Sequence, residues 1–158
     1  MQNLTGKVKF LKKDYVPLLQ KIAPDTTPIW GKMNLQQMIE HMSEYVTIGY
    51  GNTDLGLVTP EDRVEKMQEW LKTEKPFKEN TANSLMPETP KPAKYATVRE
   101  SIAELQSELN NFFHEFDTTK KKYVLNPFFG ELDYGQAIQL LYKHSVHHLR
   151  QFGVDVVL

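Results

Sequence analysis

Apolar side chains recur at the helical spacing of i, i+3, i+4 and i+7 in four separate segments of this 158-residue chain. In each segment these side chains fall on one face of the helix, and that face must be buried against another element. The pattern therefore predicts four long amphipathic helices that pack together as an all-α bundle. The predicted helices run from about 35 to 50, 61 to 74, 97 to 117 and 134 to 152.

Three further segments complete the predicted architecture. A short helix is expected from Lys12 to Ile22, whereas residues 1–10 carry only a weak pattern and are expected to be extended or frayed. Lys75 to Tyr95 is rich in proline and predicts a long crossover loop, which either covers a site or is simply solvated. Tyr123 to Gly130 is expected to be an apolar loop that folds back against the bundle. We expect a single domain over residues 1–158.

Composition argues against several classes of protein. Nineteen Lys and Arg against 20 Asp and Glu give a net charge of -1, whereas a dedicated nucleic-acid binder usually has a basic surplus. The chain contains no stretch of about 18 apolar residues, so no membrane span is predicted. The N-terminus also lacks the apolar core of a signal peptide. A cytoplasmic protein is therefore expected. The chain has no cysteine, so the ligands of any metal must be imidazole, carboxylate or water.

Three of the five histidines lie within five residues on the last predicted helix. His144 and His148 are one helical turn apart, so they can share a metal ion if a third ligand comes from elsewhere. His148 falls in the apolar stripe and His144 at its edge, while His147 lies well outside it and is expected to be a bystander. Two buried imidazoles need partners for their nitrogens, and a shared cation would serve both. Ser145 follows His144, so the glutamate of the H-E-x-x-H protease motif is absent.

The two remaining histidines lie on earlier helices. His41 lies beside the apolar stripe of its helix, and the residues alone favour a hydrogen-bonded boundary residue over a metal ligand. His114 is expected to point into solvent. Trp30 is expected either to anchor the core or to line a pocket. Taken alone, the pattern of residues leaves the third ligand open.

The chain contains four short motifs: Trp30-Gly31-Lys32-Met33, Gln37-Met38-Ile39-Glu40-His41, Pro127-Phe128-Phe129-Gly130, and Lys143-His144 followed by His148-Leu149-Arg150-Gln151. Together they resemble the DinB-like (DinB/YfiT) superfamily, most closely one of its bacterial subfamilies. The resemblance covers most of the chain, including the order of the helices. It implies a four-helix bundle with up-up-down-down-type connectivity, here with an extra short N-terminal helix and a long crossover loop.

The resemblance also implies a metal site and a chemistry. Members often bind a divalent metal through three histidines, which correspond here to His41, His144 and His148. Relatives include thiol S-transferases that use bacillithiol or mycothiol, and a mycothiol-dependent isomerase. The implied function is a metal-dependent transferase or hydrolase that acts on a small molecule, with a low-molecular-weight thiol as candidate partner. The metal, which could be Zn, Ni, Mn or Fe, would lower the pKa of a bound thiol or water.

The alternative is a non-catalytic helical bundle that retains the scaffold and acts as a binding or homodimerisation module. The residues near the histidines, such as Glu44 and Tyr45, include no assigned acid or base. The apolar segment from Tyr123 to Phe129 could serve an interface. Arg150 and Gln151 match the superfamily pattern, but they could equally be structural caps near the end of the last helix.

Overall fold

The computed structural model describes residues 3–81, 83–119 and 123–157. Helices dominate, and the described strands form one small two-stranded sheet, so the all-α fold predicted from the helical spacing is confirmed. None of the described helices combines the length and apolar character that a membrane span requires. The elements are α1 (Leu4–Lys9), a π-helical turn (Phe10–Asp14), α2 (Tyr15–Gln20), α3 (Leu35–Gly49), α4 (Glu61–Lys72), α5 (Val98–Thr118), β1 (Tyr123–Asn126), β2 (Gly130–Asp133) and α6 (Tyr134–Gln151).

The N-terminal helical segment, which comprises α1, the π-helical turn and α2, begins earlier than predicted. The expectation that residues 1–10 are extended or frayed is wrong from Leu4 onward; Met1 and Gln2 lie outside the described residues. The Asn3 side chain accepts a hydrogen bond from the Gly6 backbone N–H and caps α1. The π-helical turn then shifts the phase of the apolar residues, which hides the helical period from a simple pattern.

Three of the main helices begin with capping boxes, in which side chain and backbone of the two partners exchange hydrogen bonds. These local signals explain why the observed starts of α3, α5 and α6 agree closely with the predicted ones. Because a cap depends only on residues three apart, the sequence is enough to locate it. The three capping boxes are Asn34 with Gln37, Thr97 with Glu100 and Asp133 with Gln136.

Pairs of neighbouring residues show how the bundle helices run. The N-terminal helical segment is parallel to α6 and α3 is parallel to α5, whereas α3 and α6 are antiparallel. The N-terminal helical segment completes the bundle with α3, α5 and α6, whereas α4 packs outside it against α6. In chain order these four bundle elements therefore run up, down, down and up. This differs from the up-up-down-down order implied by the resemblance. The pairs are Lys7–Gln139 and Phe10–Tyr142, Glu40–Ser101 and Tyr50–Glu108, and His41–His148 and Gly49–Ala137.

A β-hairpin occupies the segment that was expected to be an apolar loop, so the expectation of a loop is wrong there. Tyr123 pairs with Asp133 and Asn126 pairs with Gly130 in an antiparallel register. The Asn126 side chain accepts two backbone N–H bonds within the turn. Alternate side chains of both strands are buried, so the hairpin does fold back against the bundle. Strands of four residues are too short to give a clear alternating pattern.

Candidate metal centre

The three histidines picked out by the resemblance meet between α3 and α6. The Nε2 atoms of His41 and His144 are 3.2 Å apart, and those of His144 and His148 are 2.9 Å apart. One potential ligand atom from each of the three lies within 4.8 Å of the others. His148 is only 5% exposed, while His41 and His144 are partly buried. The fold thus places all three side chains around one point.

Hydrogen bonds alone do not account for this arrangement. In a neutral imidazole the Nε2 atom carries either one proton or one lone pair in the ring plane. His144 Nε2 therefore cannot accept from His41 and donate to His148 at the same time. In addition, its Nδ1 atom is buried and has no hydrogen-bond partner among the described residues. A cation that accepts a lone pair from each ring would satisfy all three Nε2 atoms together, so the donor set fits a metal ion.

A buried glutamine sets the orientation of His148. The Gln151 side chain is bonded on both ends: its Nε2 donates to the Trp30 carbonyl at 2.9 Å, and its Oε1 lies 2.8 Å from His148 Nδ1. Because a carbonyl can only accept, the amide nitrogen must face Trp30 and the amide oxygen must face His148. His148 therefore has a hydrogen-bond acceptor at Nδ1, while its Nε2 lies beside His144 Nε2. The sequence feature that could have indicated this contact is the three-residue spacing from His148 to Gln151, which places both side chains on one helix face.

Glu40, the residue directly before His41, fixes α3 to the end of the crossover and to α5. Its carboxylate accepts hydrogen bonds from the backbone N–H groups of Lys94 and Tyr95 and from the Ser101 hydroxyl. Burial opposes ionisation of this carboxyl, but these bonds together hold its pKa below the usual value. The Glu40 carboxylate thereby links α3 to both segments at the position next to His41.

The electrostatic setting keeps the three imidazoles neutral. Burial lowers the pKa of His41 to about 4. Burial first, and repulsion between the neighbouring rings second, hold the pKa values of His144 and His148 well below the usual range. Metal ligation requires neutral imidazole, so no protonation has to be reversed at neutral pH before a metal binds.

Aromatic side chains surround the histidines. The Tyr45 ring centroid lies 4.0 Å from that of His144, and the Phe77 centroid lies 5.8 Å from it. Burial raises the pKa of Tyr45, so its hydroxyl keeps its proton. An apolar wall of this kind strengthens electrostatic interactions inside the site because it excludes water.

His147 is more than the bystander that the helical phase predicted. It does not belong to the group of three, but its ring centroid lies 5.1 Å from that of His148. The ring lies against Trp30 and Phe77, at 5.5 and 5.9 Å between centroids. Helical phase could not reveal this, because both aromatic partners come from segments outside α6. Trp30 is only partly buried and lies at the edge of the site.

The crossover after α4 contacts both helices that carry the histidines: its start contacts α6 and its end contacts α3. Phe77 contacts His144 on α6, as described above. Further along, the Lys91 carbonyl accepts a bond from Gln37 on α3, and the Lys91 ammonium pairs with the Glu44 carboxylate at 3.0 Å. Residues between these attachments are mostly exposed. The crossover therefore contributes one aromatic side chain directly to the site.

The remaining charged candidates lie outside the group of three. Glu44 is exposed and paired with Lys91, and Arg150 is exposed. Lys143 donates to the Thr73 carbonyl at 2.7 Å and lies over the Trp70 ring, so it caps the end of α4. Burial lowers the pKa of Lys143 to about 8. His114 is exposed, in line with its helical phase.

Comparison with known protein families gives one match, which includes most of the helices and both strands described above. Residues 18–152 match the family model of the DinB superfamily. The match runs from within α2 to the residue after α6 and includes His41, His144 and His148. Searches of curated proteins and of solved structures found no match. Because the matched region exceeds half of the chain, this protein belongs to the DinB superfamily.

Proposed function

We propose that this protein binds one divalent metal ion through His41, His144 and His148 and acts as a metal-dependent transferase of the thiol S-transferase type. A hydrolase that uses the same centre is the related alternative. The observation that carries the proposal is the convergence of the three Nε2 atoms around His144, whose Nε2 has one proton or one lone pair and so can make only one linear hydrogen bond.

The spacing of the nitrogens supports a four-coordinate site. Metal–nitrogen bonds of about 2.0–2.1 Å at tetrahedral angles separate neighbouring nitrogens by about 3.3 Å. The two Nε2 pairs described above, at 3.2 and 2.9 Å, are close to that value. Three protein ligands leave a fourth position open, which is typical of a catalytic rather than a structural site. An all-imidazole donor set suits Zn, Ni and Fe better than Mn.

The chemistry follows from the neutrality of the ligands. A bound divalent ion supplies Lewis acidity that lowers the pKa of a coordinated thiol or water. The protein's own part is to hold the three rings neutral and to shield them with Tyr45 and Phe77. Trp30 and His147 form the edge of the site, where a small molecule such as a low-molecular-weight thiol would make contact.

Elemental analysis of protein purified without a histidine tag tests the proposal. We expect about one equivalent of Zn, Ni, Fe or Mn per chain after reconstitution. His148→Ala is expected to lose it, while His114→Ala, a histidine change on an exposed face, is expected to retain it. Near-zero metal in the reconstituted wild type, or equal occupancy in both variants, would overturn the proposal.

One feature favours a second candidate function, a binding or homodimerisation module. Tyr123 is 59% exposed and Leu125 is 37% exposed, and both lie on the outer face of β1. Apolar residues grouped on an exposed face are characteristic of protein interfaces. For this function we expect a dimer that persists when a chelator removes all metal and that dissociates in Leu125→Lys. Sedimentation with and without chelator distinguishes the two functions.

A further inference from the structure

The backbone of Ile29, Trp30 and Gly31 encloses the end of α6 at Gln151. The Ile29 N–H donates to the Gln151 carbonyl at 2.8 Å, and the Trp30 carbonyl accepts from the Gln151 side chain. Gly31 has a φ of +79°, and a Cβ there would come within 2.8 Å of Gln151 Nε2. The Gln151 side chain is therefore held in place by backbone groups, and the residue is only 3% exposed.

This contact is not a helix cap. The last turn of α6 is closed by the Phe152 backbone N–H, which bonds to carbonyls within the helix. The Gln151 side chain bonds instead to a carbonyl of a different segment and to an imidazole. Its polar atoms thus face the metal centre on one side and the Trp30–Gly31 backbone on the other.

The bond to His148 decides which nitrogen of that ring is available. The two tautomers of a neutral imidazole are close in energy, and the hydrogen bond made by one nitrogen determines whether the other carries a proton. With an acceptor at Nδ1, the proton stays there and Nε2 offers a lone pair. Without the acceptor, a proton on Nε2 becomes accessible and opposes metal binding.

We propose that Gln151 is a positioning residue that fixes His148 as the Nδ1–H tautomer, and that the Trp30 carbonyl and the close approach of Gly31 hold the glutamine amide in the orientation this requires. The consequence for metal affinity rests on the proposed function. The tautomer itself is a property of the chain alone and can be measured without metal.

The test measures both properties. Nitrogen-15 NMR of the histidine rings in metal-free protein reports the tautomer, and titration calorimetry with Zn²⁺ reports the affinity. Gln151→Met, which has a similar volume but no acceptor, is expected to lose the Nδ1–H preference and to bind Zn²⁺ about 10–100-fold more weakly. Gln151→Glu keeps an oxygen acceptor for Nδ1 but loses the N–H donor to the Trp30 carbonyl, so it is expected to retain the tautomer while losing stability.

Gln136→Met is the matched control, because Gln136 is a glutamine of the same helix whose side chain serves a capping box far from the histidines. It is expected to lose stability without any change in tautomer. If Gln151→Met does not fold, Gly31→Ala, which crowds the amide without removing it, takes its place.

A change of tautomer in the test variant and not in the control supports the proposal, whatever the affinity. An unchanged tautomer overturns it. If the tautomer changes but the wild type binds no Zn²⁺, then the positioning role stands and the proposed metal-dependent function fails.

Discussion

The Nε2 atoms of His41 and His144 lie 3.2 Å apart, although 103 positions separate the two residues in the chain. Only the folded bundle brings them together, so a metal that requires both will bind the native state and not the unfolded chain. Binding and stability are therefore linked.

The first prediction follows from this linkage. At a free Zn²⁺ concentration of about 100 times Kd, the wild type is expected to gain about 2.7 kcal/mol in the free energy of unfolding. His41→Gln is expected to lose most of this gain, while His114→Gln should keep it. Thermal unfolding with Zn²⁺ and with chelator measures the difference. An equal metal-induced shift in both variants would contradict a role for His41.

The second prediction concerns metal-free protein. Within the part of the chain that the structure describes, the buried Nδ1 atom of His144 has no hydrogen-bond partner, and such a group destabilises a fold by about 1–3 kcal/mol. His144→Leu removes this atom but leaves the buried His148 Nε2 without its contact, so its stability in chelator is expected to stay within about 1 kcal/mol of the wild type, although it loses metal binding. His148→Leu should instead be less stable, because it leaves the buried Gln151 oxygen unpaired. Urea unfolding measures both, and a His144→Leu variant that is destabilised as much as His148→Leu would contradict the reasoning.

A third prediction concerns Glu40, whose carboxylate joins α3 to the crossover and to α5. Glu40→Gln replaces a charged acceptor by a neutral amide and is expected to lower the free energy of unfolding by about 1 kcal/mol, a modest value because the carboxylate is partly exposed. Glu44→Gln, four residues along the same helix, removes only an exposed ion pair and should change stability by less than about 0.5 kcal/mol. Denaturant unfolding compares the two, and equal effects would argue against a fixing role for Glu40.

The fourth prediction is a pH dependence. The Tyr50 hydroxyl donates to the Glu108 carboxylate at 2.6 Å, and burial together with this carboxylate raises the pKa of Tyr50 to about 12. The folded state therefore holds this proton more tightly than the unfolded chain, in which a tyrosine has a pKa of about 10. The stabilisation is fully present below pH 10 and is lost as the pH rises from about 10 to 12.

Tyr50→Phe isolates this effect from the other tyrosines and the lysines. It should be less stable than the wild type at pH 8, and the gap should shrink as the pH rises above 10. Unfolding in urea at a series of pH values measures the gap. A gap that stays constant or widens with pH would contradict the assignment.

Local features of the sequence located much of the fold. The capping box of Asn34 and Gln37 defines the start of α3 from residues three apart, and the same is true of the starts of α5 and α6. The hairpin at Tyr123–Asn126 was missed, because its stability depends on packing against the bundle more than on its own short pattern. The early start of α1 was missed for a similar reason: Lys7 is buried through bonds to Glu74 and Gln139, which lie far away in the chain.

The sequence by itself determined what depends on residues within a few positions of one another: the main helices and the pairing of His144 with His148 on one helix face. Only the tertiary structure decided how these parts meet, because contacts between distant segments leave no periodic signal. It brought His41 to the pair, placed Gln151 between His148 and the Trp30 carbonyl, and surrounded His147 with aromatic rings. The resemblance to the superfamily had pointed to His41, but the physical reason lies in the antiparallel packing of α3 against α6.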